Sequence, residues 1–360
     1  MKKLGFGFMR LPLLNKTDWA DININLVTKM VDLYLEKGFT YFDTAYGYHL
    51  GKSETAIKKV LTQRYPRESF VLADKMPIFL IQEKEQFDKV FNEQLKRCGV
   101  EFFDYYLIHS LNGKTYSKDL VRKDVFDFLT KIKIEKKAKH IGFSFHDKAD
   151  VLDCILSEHA EIDFVQLQIN YIDWKDEAIE SEKCYKIAQK HDKPVIVMEP
   201  VKGGNLAILP YEIEQNFKNY NPNMSVASWA IRFAASLKNV FIVLSGMSNL
   251  EQVADNIGYM EQFTPLNAIE LDIIERLIPK IKQNIIIPCT GCRYCLDNCP
   301  SKIPIAYLFF LFNDKARLGV FPDHLKIYSD LTSKSGKPSD CIECRSCEKK
   351  CPQNISVVNI

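Results

Sequence analysis

The chain has no continuous apolar run near the ~18 residues that a membrane span requires, and residues 1–14 lack the apolar core of a signal peptide. It also lacks a dominant charge. Its 48 Lys and Arg stand against 46 Asp and Glu, a formal charge of +2, too weak a field to gather nucleic acid or an anionic bilayer. The expected setting is therefore the cytoplasm, with no nucleic-acid partner and no membrane span. No G-x-G-x-x-G follows the first strand candidate, which argues against an open dinucleotide-binding sheet. Cysteine is scarce through the first 288 residues, where only Cys98, Cys154 and Cys184 occur. They fall in helix-like segments and are read as small buried hydrophobes.

What is present is the balance of an ordinary folded protein, 46% apolar and 26% charged residues. At 360 residues the chain exceeds what one core usually fills, so a large domain plus a small one is expected. The other eight of its eleven cysteines lie between Cys289 and Cys351. In a reducing compartment such density points to metal rather than disulfides. Cys289, Cys292, Cys295 and Cys299 are followed by Pro300, and Cys341, Cys344, Cys347 and Cys351 by Pro352. Both runs obey C-x2-C-x2-C-x3-C-P, the spacing of bacterial two-cluster ferredoxins.

Close spacing lets three thiolates wrap one face of a cubane, while the fourth, redirected by its proline, reaches the neighbouring cluster. Two 4Fe-4S clusters with crossed ligand sets are expected: Cys289, Cys292, Cys295 and Cys351 for one, Cys341, Cys344, Cys347 and Cys299 for the other. Structural zinc also uses C-x2-C pairs, but it needs four ligands per ion, not two runs of four ending in proline. Residues 301–340 separate the runs. Their apolar stretch 305–312 is expected as a helix packed on the first module, with a helical hairpin around the clusters as the alternative.

Short strand-like runs at 4–8, 40–43, 70–75, 105–109, 140–144, 164–169, 194–199 and 241–245 alternate with helical patterns such as 24–37, 82–97, 125–135 and 250–261. Eight βα pairs in about 260 residues match a (β/α)8 barrel. The expected fold class is α/β: a TIM barrel over residues 1–265, a linker helix over 266–288, and a small α+β ferredoxin-like iron–sulfur domain over 289–360. In such a barrel the chemistry sits where strands end. Asp43, Lys75 and His109 end the second, third and fourth strand candidates, and Tyr48 follows the second. This set suits reversible carbonyl reduction, in which hydride reaches carbon while an acid protonates oxygen. A phenol's ordinary pKa is ~10, so Lys75 is expected to lower that of Tyr48. Asp43 would hold Lys75 charged, and His109 would steer the carbonyl oxygen.

Residues 42–48, followed by Gly51, Lys52, Ser53 and Glu54, closely resemble the active-site motif of the aldo-keto reductases. Lys75 and the segments 104–109, 142–144 and 166–170 continue the resemblance in order, across residues 4–261. It implies a catalytic tetrad of Asp43, Tyr48, Lys75 and His109, with Ser144 and Gln166 holding the nicotinamide carboxamide of NAD(P)H. Met198 stands where a tyrosine often stacks on the nicotinamide. The pyrophosphate and adenosine are implied near Gly203 and Gly204 and near Ser245, Gly246, Met247 and Ser248, with Gln252 and Asn256 close by. Loops after strands seven and eight are also the usual barrel phosphate site. Phe145 replaces a common Asn, and Gly246 and Gln252 stand where Lys and Arg usually meet a 2'-phosphate, which leaves NADH and NADPH both open.

The implied function is an NAD(P)-dependent oxidoreductase that interconverts a small-molecule carbonyl and an alcohol, with the clusters appended for electron transfer. Nicotinamide moves two electrons as hydride, whereas each cluster moves one. A flavin would convert between them, so a ferredoxin-coupled flavin-dependent reductase is the alternative; a non-catalytic redox sensor is a third reading. A ferredoxin or other one-electron donor is the partner such coupling needs. Lys131, Lys133, Lys136, Lys137 and Lys139 would offer it a basic face, or simply a solvated helix surface. His49 and His146 lie near the expected mouth, and Tyr171 and Trp174 are expected as pocket wall or core packing.

Overall fold

The structure is a computed structural model that describes residues 2–15, 18–296, 298–318 and 322–360. The strand candidates form β1 Leu4–Gly7, β2 Tyr41–Asp43, β3 Val71–Met76, β4 Phe103–Leu111, β5 Ala138–Phe145, β6 Phe164–Gln168, β7 Val195–Met198 and β8 Val240–Ser245. Each pairs in parallel with the next, and β8 closes on β1. Strands buried on both faces read as nearly continuous apolar runs, which is why they were visible by composition. Their bounds agree with the sequence reading to within two residues.

The barrel interior is filled by Tyr41, Ala73, Leu107, Phe164, Ile196 and Ile242. Such a filled centre leaves no pore, so chemistry is confined to the mouth. Gly142 makes room for this layer: a Cβ there would stand 2.5 Å from the Phe164 carbonyl oxygen.

Helices follow the strands: α1 Ile24–Glu36, α2 Ser53–Ile57, α3 Glu85–Cys98, α4 Gly113–Tyr116, α5 Phe126–Ile134, α6 Ala149–Glu158 and α7 Ser181–Lys190. Then come α8 Tyr211–Tyr220, α9 Val226–Ser236, α10 Leu250–Met260, α11 Ala268–Asn284, α12 Ile305–Leu318 and α13 Pro322–Thr332. Cys98 and Cys184 are buried as expected. Cys154 is exposed, because it falls on the outer face of α6, with its Sγ 3.5 Å from Glu158.

The segment expected as a linker helix is α11, and it is packed against the barrel. Ile273, Ile274, Leu277 and Ile281 recur at helical spacing and join Leu206, Phe217 and Trp229 in a second apolar core. Asn267 and Glu270 form a capping box at its start, and Glu270 also pairs with buried Arg232 at 2.7 Å. The chain therefore enters the cysteine region from a fixed point on the barrel. There Ile305 and Phe309 of α12 pack with Ile287, Ile303, Cys347 and Ile355. Ile305 and Phe309 also close a small cavity lined by Cys289, Cys292, Cys295 and Cys351, so the apolar stretch is a helix packed on the first module, the first of the two expectations.

Candidate active site and cluster module

Three strand ends bring the predicted tetrad together. The Lys75 Nζ lies 2.5 Å from Asp43 Oδ1 and donates to the Thr44 carbonyl at 2.7 Å, with both charged groups buried. Burial pushes the Asp43 carboxyl up, while the Lys75 ammonium and the Gln166 amide pull it back. Its second oxygen, Oδ2, is buried without a hydrogen-bond partner among the described residues. The ammonium sits 5.2 Å from the centre of the Tyr48 ring, over the ring face.

The expected lowering of the Tyr48 phenol is not what the structure shows. Burial pushes it well above its ordinary value, and the Asp43 carboxylate adds to the rise. The reason is geometric: Lys75 directs its hydrogens at Asp43 and Thr44, so its charge is largely matched before Tyr48 feels it. His109 follows from a register shift between Ile108 and Leu111 in β4, with Ser110 in a left-handed conformation at φ 60°. Such an irregularity re-aims a side chain. The imidazole stands edge-on to Tyr48 at 5.9 Å. Burial, then Lys75, holds it well below its ordinary value, so it is neutral near pH 7. Its Nε2 lies 3.0 Å from the hydroxyl of Tyr294, a residue of the first cysteine run that sequence reasoning passed over.

A cavity of about 720 Å³ opens beside Tyr48 and His109. Trp19, Phe79, Phe145 and His146 line it on the barrel side, and Cys292, Tyr294 and Cys351 on the other. None of the nicotinamide or phosphate positions named from the resemblance is among its described walls. Ser144 accepts the Ser110 N–H at 2.8 Å and so braces the backbone after His109, and Gln166 is buried beside Asp43. Met198 is half-buried at the end of β7. Ser245 accepts from Asn256 at 2.6 Å, Met247 is core, and Gln252 accepts the Ser248 N–H at 2.7 Å in the turn into α10. Ser248 donates to the Arg10 carbonyl, and the Arg10 side chain packs over Gly246.

Two family models match this sequence. The aldo/keto reductase family covers residues 3–279, and a 4Fe-4S dicluster domain covers residues 288–356. The chain belongs to the aldo/keto reductase family. An NADP(+) aldo-keto reductase of Schizosaccharomyces pombe, yakc, is 27% identical over 121 residues, 31% of this chain and 34% of that protein. The chain thus spans about a third of the length of that curated relative. A Klebsiella pneumoniae aldo-keto reductase crystallised with NADPH aligns at TM-score 0.61 and 18% identity, covering 77% of this chain and 91% of the other. The holo form of a Bacillus halodurans aldo-keto reductase aligns at TM-score 0.61 and 22% identity, covering 76% and 91%. At these identities the two structures establish the shared barrel.

In this family member the strand-seven edge is covered by the chain's own cysteine loop. Gly203, at φ 67°, rests against the Thr290 backbone so closely that a Cβ would collide with it, and Gly204 follows at φ 102°. Asn205 donates to the Cys289 carbonyl at 3.0 Å, and the Arg10 guanidinium donates to the Thr290 carbonyl. Gln353 exchanges hydrogen bonds with Gln168 and accepts from Lys202 at 3.2 Å, while Lys202 pairs with buried Asp173 at 2.6 Å. Arg293 lies between the rings of Trp19 and Tyr307, 4.1 and 4.5 Å from their centres. As folded, the Thr290 loop occupies that edge, and a dinucleotide laid along it would have to displace the loop.

The cysteines do fit a cluster. Cys289, Cys292, Cys295 and Cys351 line one small cavity closed by Ile305, Phe309, Ile355 and Val357. Burial pushes the thiols of Cys289, Cys292 and Cys295 up, the last to about 12. Thiols in such a pocket stay protonated unless a metal takes the sulfur. The Gly291 N–H points at Cys289 Sγ, 3.3 Å away, and the Ile303 N–H at Cys299 Sγ, 3.4 Å away. Cys299 and Cys347 share an apolar cluster, while Cys341 and Cys344 lie at the surface. Both runs use left-handed residues at matching places: Gly291 and Arg293 at φ 63° and 69°, Glu343 and Arg345 at φ 54° and 55°. The two runs therefore share the same backbone curl.

The remaining candidates are structural. His49 is fully buried; its Nδ1 donates to the Trp19 carbonyl at 2.7 Å and its Nε2 accepts the Leu11 N–H at 3.2 Å. Tyr171 is core, and Trp174 packs on Tyr185 and Phe233. Lys131, Lys133, Lys137 and Lys139 are ion-paired to Asp88, Asp163, Glu135 and Asp104.

Gly203→Ala should loosen the docked loop, read as faster hydrogen–deuterium exchange across residues 289–295; unchanged protection would show that Thr290 does not rest on this glycine. Burial depresses His49 from 6.5 to about 4. The unfolded chain therefore binds a proton below about pH 6.5 that the fold refuses until about pH 4, and stability is lost as pH falls through that window, by about 3 kcal/mol. His49→Gln should flatten that part of the denaturation profile; an unaltered slope would contradict the assignment.

Proposed function

We propose that this enzyme interconverts a carbonyl and an alcohol, with Tyr48 as the proton donor, NAD(P)H as the reductant and two 4Fe-4S clusters as one-electron carriers. The observation that carries the reading is the buried Asp43–Lys75 pair beneath Tyr48, with a neutral His109 at its side. Because the phenol is pushed up, it holds its proton at neutral pH and can release it only as negative charge grows on a substrate oxygen within reach. The Lys75–Asp43 pair fixes the Tyr48 ring from its face, and Asp43 keeps Lys75 in place. His109 orients the oxygen through a ring nitrogen.

NAD(P)H supplies a hydride when bound. Its phosphates would require the Thr290 loop to yield the strand-seven edge, since Gly203 and Asn205 are engaged there. The proposed ligand sets are Cys289, Cys292, Cys295 and Cys351 for the cluster next to the barrel, and Cys299, Cys341, Cys344 and Cys347 for the outer one. The outer set, partly at the surface, is where a ferredoxin or similar carrier would deliver electrons. Such thiols and clusters suit the reducing cytoplasm; no described helix is long and apolar enough to cross a membrane.

One observation favours a second reading. The cavity is walled by Tyr48 and His109 on one side and by Cys292 and Cys351 on the other, a place where a flavin could take electrons singly and pass them in pairs. The visible spectrum of anaerobically purified protein separates the two, since a flavin adds its own bands and fluoresces once released.

Tyr48→Phe should lower kcat/KM for a carbonyl acceptor with NADPH by about 10²- to 10⁴-fold and leave the cluster spectrum intact. Turnover within twofold of wild type would remove Tyr48 from the role. Iron and sulfide analysis should give about eight of each per chain. Cys351→Ser should cost about half of both by disrupting the cluster next to the barrel while the outer cluster's EPR signal persists; loss of the outer signal instead would refute the crossed sets.

A further inference from the structure

We infer that Tyr294, carried by the cluster module, is a substrate-contacting residue of the barrel's active site. The inference rests on the reading of Tyr48 and His109 as the groups that meet the carbonyl oxygen. Tyr294 reaches the barrel mouth from between Cys292 and Cys295. Its hydroxyl is 3.0 Å from His109 Nε2, and its ring stands edge-on to the imidazole at 6.0 Å. Tyr48 is edge-on to the same imidazole at 5.9 Å. Two phenols therefore share one histidine at the rim of the cavity.

The cysteine loop does not need this side chain for its own fold. The second run has Ser346 at the matching position, and left-handed residues precede it at the same places in both repeats. Nor does docking depend on it alone. Gln353 on Gln168 and Lys202, Asn205 on the Cys289 carbonyl, Arg10 on the Thr290 carbonyl and Arg293 on Trp19 already hold the loop to the barrel.

A substrate oxygen placed between Tyr48 and His109 meets the Tyr294 hydroxyl at the nitrogen it already occupies. With the imidazole neutral and Nε2 protonated, the Nε2–H donates to the Tyr294 oxygen and leaves the phenol O–H free to turn to the substrate oxygen, while Nδ1 stays buried without a partner among the described residues. Phe79 and Phe145 form the apolar side of the same cavity, which suits a carbonyl attached to a flat apolar group. The iron–sulfur module thus completes the pocket that the barrel begins.

The test uses the anaerobically purified holoprotein, benzaldehyde as the carbonyl probe and NADPH. Tyr294→Phe should lower kcat/KM for benzaldehyde by about 10- to 100-fold. Iron and sulfide content, and hydrogen–deuterium exchange of residues 289–295, should match wild type. A kcat/KM within twofold, or one that rises, overturns the inference; the second result would make Tyr294 a plug. A fall accompanied by faster exchange of the loop also overturns it, since the residue would then serve docking only. If wild type itself shows no turnover, the proposed function fails separately. Tyr294 is then judged by equilibrium binding of benzaldehyde: at least tenfold weaker binding in Tyr294→Phe supports the contact, and equal or undetectable binding in both proteins overturns it.

Discussion

An ammonium and a carboxylate buried together at 2.5 Å set the terms for everything at the barrel mouth. Taking both charges out of water is costly unless their attraction and further hydrogen bonds offset it. Lys75 meets that demand with Asp43 and the Thr44 carbonyl, and it can do so because β2 and β3 are adjacent and in register. One consequence is that Tyr48 lies against the pair with little free positive charge to draw off its proton. Another is that His109, close to Lys75, stays neutral. The Tyr48 phenol therefore keeps its proton in the resting form.

The second organising contact is between modules. Gly203 has no side chain, and its left-handed backbone lets the Thr290 backbone approach where any other residue would collide. Around this point a buried polar network closes: Asp173, Lys202, Gln168 and Gln353 satisfy one another across the seam. A network of this kind is stabilising only when all members are paired, which favours one docked position of the cluster loop over a loose tether. Helix α11 adds to this by delivering the chain to the mouth from a packed position instead of a free linker.

That arrangement places Cys292 and Cys351 across one cavity from Tyr48 and His109. The repeat of left-handed residues shows that the two cysteine runs are the same folded unit. Their differences then carry meaning: Thr290 and Tyr294 face the barrel, whereas Ile342, at the corresponding place in the outer run, is exposed.

The sequence by itself determined the barrel, the order of its strands, the meeting of Asp43, Tyr48, Lys75 and His109 at one mouth, and the cysteine runs, because each is written locally. Two-sided burial leaves an apolar run, polar residues stand out near the ends of such runs, and cubane ligation requires fixed short spacing. Only the tertiary structure decided the direction of the Tyr48 shift, since that depends on where Lys75 points and on burial, neither of which a residue's neighbours in the chain reveal. The same holds for α11 as a packed element, for His49 as an internal clasp and for the covered strand-seven edge. Tyr294 was readable as a spacer between cysteines and became a neighbour of His109, 185 positions earlier in the chain, only when the intervening chain folded back. Contacts of that separation are set by the packing of whole elements, and no local pattern encodes them.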